Sequence, residues 1–212
     1  MIYITKDYRN IFFINLKCCF SSFERNLLEE DKILKLNIKW SNNTLDNEML
    51  SKIPEDVKLY IIIRNPISRF CSFYKDKFVA CFNCEPKNNK QNCHICMYKY
   101  FSEEYILKKG LSISDIISAI KLGYNEGHIS RQSDILKCNI WNKDINIIRM
   151  EDPEFNNICK SIIGCEMPYV NSTEGNQIQE LTVEDTDFLC EYYKADFELY
   201  NSGNIYSNTV SK

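Results

Sequence analysis

Apolar residues gather in short runs along this chain, and the period of the runs changes from one segment to the next. Residues 11–16 (IFFINL) mix β-branched and aromatic side chains and predict a buried strand. A turn of small residues follows, then a helical pattern over about 22–30. Residues 33–38 predict a second strand, 45–53 a short helix stopped by Pro54, and 58–63 (KLYIII) the clearest buried strand. Asn65 and Pro66 open a helix that runs to about Val79, with Pro66 early enough that its missing N–H costs little. Residues 81–96 form a polar loop bracketed by cysteines. Helical patterns at 98–108 and 113–122, a strand at 145–149 and a helix at 154–163 come next. A last helix is predicted over about 183–200, and the polar final dozen residues are expected to fray.

Strands alternating with helices predict an α/β fold: three layers, P-loop-like, with a mainly parallel sheet flanked by helices. The 212 residues suit one domain over 1–212 with a small Cys-rich insertion at about 81–96. The formal net charge of −3 provides no global basic field, so nucleic acid is not an expected partner. No run approaches the roughly 18 apolar residues of a membrane span. Lys6, Asp7 and Arg9 interrupt the start of the chain, so no secretion signal is expected and the reading is cytoplasmic. Oligomeric state is not legible.

Two stretches carry phosphate chemistry. Lys17-Cys18-Cys19-Phe20-Ser21-Ser22 lies between the first strand and the first helix, where backbone N–H groups and the helix dipole favour an anion. Lys17 adds a point charge, and Ser21 and Ser22 add hydroxyls able to cap the helix. The G-x-x-x-x-G-K-[ST] pattern is absent, which argues against an ATP-using P-loop kinase. The second stretch runs from Arg64 to Phe78. Arg64 stands at a strand's carboxyl end, the ligand side of open α/β sheets, and an arginine grips phosphate with two N–H groups. Arg69 and Ser72 follow on the helix.

Together these stretches resemble the carbohydrate sulfotransferases and their microbial relatives (sulfotransferase family 2 type). Arg64-Asn65-Pro66, Arg69, Ser72, Tyr74, Lys77 and Phe78 match R-[DN]-P-x-x-R-x-x-S-x-Y-x-x-K-F, the family's 3′-phosphate motif. Residues 17–22 are similar to its 5′-phosphosulfate loop, P-K-x-[AG]-x-[ST]-[ST]. His128 to Gln132 looks like its H-[WF]-x-P-Q segment. Ile148-Arg149-Met150-Glu151 looks like a strand ending in [KR]-[FY]-E, and 192–200 like its closing Y-x-x-D-[FY] helix. The chain departs from the pattern at Leu16 for Pro, Cys19 for Gly or Ala, and Arg131 for Pro.

The resemblance implies a sulfotransferase using 3′-phosphoadenosine-5′-phosphosulfate (PAPS) and a carbohydrate or glycan hydroxyl as acceptor. It makes Lys17 the group that stabilises the leaving phosphate. Cys18, Cys19, Phe20, Ser21 and Ser22 line the 5′ side, and Arg64 and Ser72 hold the 3′-phosphate. The acceptor needs a general base, and a histidine titrates in the right range. His128 is that candidate because the other histidine, His94, lies in the Cys cluster; Glu126, Asp76 and Glu24 are alternative carboxylates. Glu151 is expected to orient a helix or an arginine.

Of the 11 cysteines, Cys81, Cys84, Cys93 and Cys96 form a double C-x-x-C with an eight-residue spacer. That pattern suits a structural tetrahedral zinc, with disulfides or free thiols as alternatives. Cys71, Cys138, Cys159, Cys165 and Cys190 read as core residues. A non-catalytic, zinc-bearing interaction protein with a decayed sulfotransferase fold is the competing reading.

Overall fold

The computed structural model describes residues 1–36, 51–79, 97–139, 141–167 and 181–206. The chain divides into two compact units: 1–66, 131–172 and 194–212 form the first, and 67–130 and 173–193 the second.

The first unit is built on a six-stranded sheet of order β3-β1-β2-β4-β5-β6. Its strands are β1 (Ile2–Thr5), β2 (Asn10–Ile14), β3 (Ile33–Lys35), β4 (Lys58–Ile63), β5 (Ile145–Arg149) and β6 (Ile205–Tyr206). β2, β4 and β5 run parallel, with Ile14 beside Ile62 and Ile63 beside Arg149. The outer pairings are antiparallel. The sheet is therefore mixed, and the expectation of a mainly parallel sheet holds for its three central strands.

Alternation along β2 explains why both faces of the sheet are covered. Ile11 and Phe13 point into one core with Ile61, Ile63, Ile147, Ile135 and Leu199. Phe12 and Ile14 point into the other with Phe23, Leu27, Ile62, Ile148 and Cys159. The helical pieces over these faces are α1 (Phe20–Ser22), which continues as a π-helical turn (Phe23–Leu27), and a 3₁₀ segment (Ser133–Cys138). Helices of 155–163 and 194–201 complete the unit.

The second unit is helical. α2 (Pro66–Tyr74) continues as a π-helical turn (Lys75–Val79), and α3 (Glu103–Lys109) and α4 (Ile113–Lys121) follow. In the first unit α5 is Phe155–Ile163; α6 (Val183–Tyr192) belongs to the second and α7 (Lys194–Asn201) to the first. Ser112 and Asp115 close a capping box on α4. Phe73 packs edge-on against Phe78 at 5.5 Å, and Tyr74 donates from its hydroxyl to the Leu111 carbonyl at 2.9 Å.

Several boundaries differ from the sequence reading. β1 exists although Lys6 and Asp7 follow it, because those charges sit in the β1–β2 turn, where the Tyr8 N–H donates to the Thr5 carbonyl at 2.9 Å. The first helix begins at Phe20, and the second strand ends at Lys35. The helix expected at 98–108 is α3, starting at the Ser102 cap. The long final helix breaks at Tyr193, which is fully buried with its hydroxyl donating to the Ile129 carbonyl at 3.0 Å. Of the final dozen residues, expected to fray, 201–206 are described: Arg149 donates to the carbonyls of Tyr200, Ser202 and Gly203, and β6 pairs with β5, while 207–212 lie outside the described residues. Cys71 and Cys159 are buried as expected, but Cys190 is exposed and Cys165 only half-buried. The helix of 45–53 lies largely outside the described residues. No described helix is long and apolar enough to cross a membrane.

Candidate functional site

Parallel strands β2 and β4 deliver two segments to their shared carboxyl edge: the loop that follows Ile14 and the Arg64 backbone. In that loop the Cys18 N–H donates to the Asn15 carbonyl at 3.1 Å, making a tight turn. Lys17 and Cys19 both take left-handed conformations, at φ 68° and 55°. Each costs a non-glycine residue about 1 kcal/mol or more. The position where the resembling family usually has Gly or Ala is therefore one of positive φ, and Cys19 accepts the strain.

The carbonyl of Cys19 opens α1 by accepting from the N–H groups of Ser22 at 3.0 Å and Phe23 at 3.2 Å. The expected serine cap is not formed: Cys19 is the cap residue, without a side-chain hydrogen bond, and both serines lie inside the first turn. The N–H groups of Phe20 and Ser21 are the helix's leading donors. Ser21 is half-buried and Ser22 buried, while the Phe20 ring packs on the sheet core. The N–H and the thiol of Cys18 both donate inside the protein, to the Asn15 carbonyl and to Gln132 Oε1. Burial pushes the Cys19 thiol up, helped by the thiols of Cys18 and Cys159; the nearby Arg64 charge opposes this without reversing it. Cys19 is a neutral thiol within electrostatic reach of Arg64.

Arg64 is half-buried, and its Nε stands 3.9 Å from Glu151 Oε1, a pairing at the edge of contact between two partly exposed groups. Such a pair is worth at most about 1 kcal/mol, so an anion can compete for the guanidinium. Glu151 is itself held: it accepts from the Asn65 N–H at 3.0 Å and the Tyr200 hydroxyl at 3.2 Å. Burial and the Glu151 charge together raise the Tyr200 phenol, keeping it a donor.

A buried polar network joins these pieces. Gln132, 1% exposed, donates from Nε2 to the Arg64 carbonyl at 2.8 Å and accepts at Oε1 from the Arg64 N–H at 2.9 Å. The same Oε1 accepts from the Cys18 thiol at 3.0 Å. The Gln132 carbonyl accepts from Asn15 Nδ2 at 3.0 Å. Its N–H donates to Asp196 Oδ2 at 2.7 Å, and Asp196, 0% exposed, also takes the Ser133 N–H at 2.9 Å and hydroxyl at 2.8 Å. The sequence reading assigned no role to Gln132 or Asp196. Their signal was present: each sits in a segment quoted for the family resemblance, and an Asp in an apolar helical pattern needs a buried partner.

The remaining candidates, Glu24 apart, belong to the second unit. Ser72 is half-buried on α2. His128 Nδ1 lies 2.9 Å from Glu126 Oε2, and the His128 N–H donates to Glu126 Oε1 at 3.2 Å. The imidazole stacks on Phe73 at 6.0 Å, and its side chain is 23% exposed. Asp76 pairs with Lys77 at 3.7 Å. In the first unit, Glu24 is taken up by the Tyr3 hydroxyl and Lys35, each at 2.6 Å. Burial alone would raise its carboxyl, but those two partners hold it below its ordinary value, which makes it a poor base. Cys81, Cys84, Cys93 and Cys96 lie outside the described residues, as does His94. Among the described residues no three His, Cys, Asp or Glu side chains gather as a metal site.

A family model described as "Sulfotransferase family" matches residues 10–154. That stretch takes in β2, the 17–22 loop, Arg64, His128, Gln132 and Glu151. No curated protein and no solved structure gives a match.

Proposed function

Because the chain belongs to the sulfotransferase family, we propose that it transfers a sulfuryl group from PAPS to a hydroxyl of a carbohydrate or glycan. The observation that carries the reading is the pairing of a loop that opens a helix with a loosely held arginine at adjacent parallel strand ends. Among the described residues, the Phe20 and Ser21 N–H groups and the Arg64 guanidinium are donors with no strong internal competitor, which fits a doubly phosphorylated nucleotide.

PAPS supplies the sulfuryl group: the acceptor oxygen bonds to sulfur, the bond from sulfur to the 5′-phosphate oxygen breaks, and adenosine 3′,5′-bisphosphate leaves. Lys17 neutralises charge growing on that oxygen, and the loop amides with Ser21 and Ser22 hold the 5′ side. Arg64 and, by the resemblance, Ser72 take the 3′-phosphate. His128 receives the acceptor's proton. A Glu126 carboxylate on Nδ1 favours the tautomer whose Nε2 lone pair is available for it. Positioning and electrostatics do most of the catalysis in such group transfers. Transfer of labelled sulfate from PAPS onto a panel of glycans tests the reading; nucleotide binding with no transfer to any acceptor would favour a non-catalytic role.

We propose in addition that Cys81, Cys84, Cys93 and Cys96 hold one structural zinc, a reading supported by their spacing. Protein purified without added metal should carry about one zinc per chain. Zinc-free protein with disulfides among these cysteines would refute it.

A further inference from the structure

Each of the four polar atoms of Gln132 is hydrogen-bonded within the first unit. Its main chain is fixed between Asp196 on α7 and Asn15 in the loop after β2. Its side-chain amide meets the backbone of Arg64 as a neighbouring strand would, with one hydrogen bond given and one taken. That pairing begins where the ladder between β4 and β5 ends, at Ile63 and Arg149. The amide orientation follows from chemistry: the Arg64 N–H needs an acceptor and the Arg64 carbonyl a donor. Oε1 is therefore the atom facing Cys18, and the thiol must be the donor.

The consequence concerns spacing. Arg64 has no other described residue bonded to its N–H and carbonyl, and the 17–22 loop is strained at two residues. One buried carboxamide links them. We propose that Gln132 is a positioning residue of the nucleotide site: it sets the distance between the loop that takes the 5′-phosphosulfate and the arginine that takes the 3′-phosphate. The proposal rests on the PAPS reading given above. It assigns Gln132 no contact with the nucleotide. Asp196 acts one step further back by fixing the Gln132 main chain.

The amide and the thiol have separable effects. Gln132→Met keeps the volume and removes both bonds to Arg64, so it loosens the 3′ side. Cys18→Ala removes the thiol that ties the loop to the amide while leaving the amide's pairing with Arg64 in place, so it loosens the 5′ side, which any adenosine 5′-phosphate shares.

The test measures binding of adenosine 3′,5′-bisphosphate and adenosine 5′-monophosphate to the full chain, beside thermal unfolding and amide hydrogen exchange. Gln132→Met is expected to lower the preference for the bisphosphate about tenfold, the worth of one to two hydrogen bonds. The Arg64 amide should lose protection while Ile61 and Ile62 keep theirs. Cys18→Ala is expected to weaken both nucleotides by the same factor, and it remains informative if Gln132→Met does not fold. An unchanged preference in folded Gln132→Met, or unchanged affinities in Cys18→Ala, overturns the proposal. A wild type with no preference at all overturns the PAPS reading instead. In that case loss of Arg64 protection in Gln132→Met would leave Gln132 a structural tie and no more.

Discussion

The strand ends of the first unit and the His128 side chain in the second handle their polar groups in opposite ways. At the strand ends, partners come from far along the chain: Asn15 and Gln132 are 117 positions apart, Cys18 and Gln132 are 114 apart, and Gln132 and Asp196 are 64 apart. Gln132 and Asp196 are almost wholly buried. Among the described residues, the His128 imidazole has its polar partner in Glu126, two positions away, and is partly exposed, stacked on Phe73. The first arrangement costs stability when broken, because buried donors and acceptors lose their partners together. The second is local and replaceable, so breaking it should cost rate and little else. On the proposed PAPS reading, fixed dipoles beside the developing phosphate charge and an adaptable group for the acceptor would suit an enzyme whose donor is constant.

His128→Ala sharpens that contrast most. Turnover should fall about 10²–10⁴-fold, the usual contribution of a positioned base, with nucleotide binding and unfolding temperature unchanged. Steady-state kinetics beside calorimetry reads both. Normal turnover in the folded variant would move the proton-accepting role to Glu126 or Asp76.

Asp196→Ala should do the reverse. Three donors, the Gln132 N–H and the Ser133 N–H and hydroxyl, would lose a buried acceptor. A loss of about 3 kcal/mol is expected, which lowers the unfolding temperature by roughly 6–12 °C in a chain of this size. An unfolding temperature within a degree or two of wild type would erase the distinction between the two regions.

The central strands, and the placing of the 17–22 and Arg64 segments at their ends, were legible in the sequence because their signals are local. KLYIII reads as a buried strand from its own residues, and Arg64 falls at its end without any knowledge of the neighbours. β1 and β6 were not legible. Each is short and borders charged or polar residues, and each exists through pairing with a strand whose own signal is strong. The break at Tyr193 was hidden for a similar reason, since the buried side chain at that point bonds to Ile129, distant in sequence. Gln132 shows the limit most plainly. A glutamine looks like a surface residue in composition and periodicity, and its burial follows from four partners that only the fold assembles.

The central claim is that Arg64 and the 17–22 loop together read a nucleotide phosphorylated at both ends. Titration calorimetry with adenosine 3′,5′-bisphosphate and adenosine 5′-monophosphate, on wild type and Arg64→Ala, tests it most directly. The account predicts that the wild type prefers the bisphosphate, that Arg64→Ala weakens bisphosphate binding by about 2–4 kcal/mol, and that the monophosphate is little affected. Equal affinity of the wild type for the two nucleotides would contradict it.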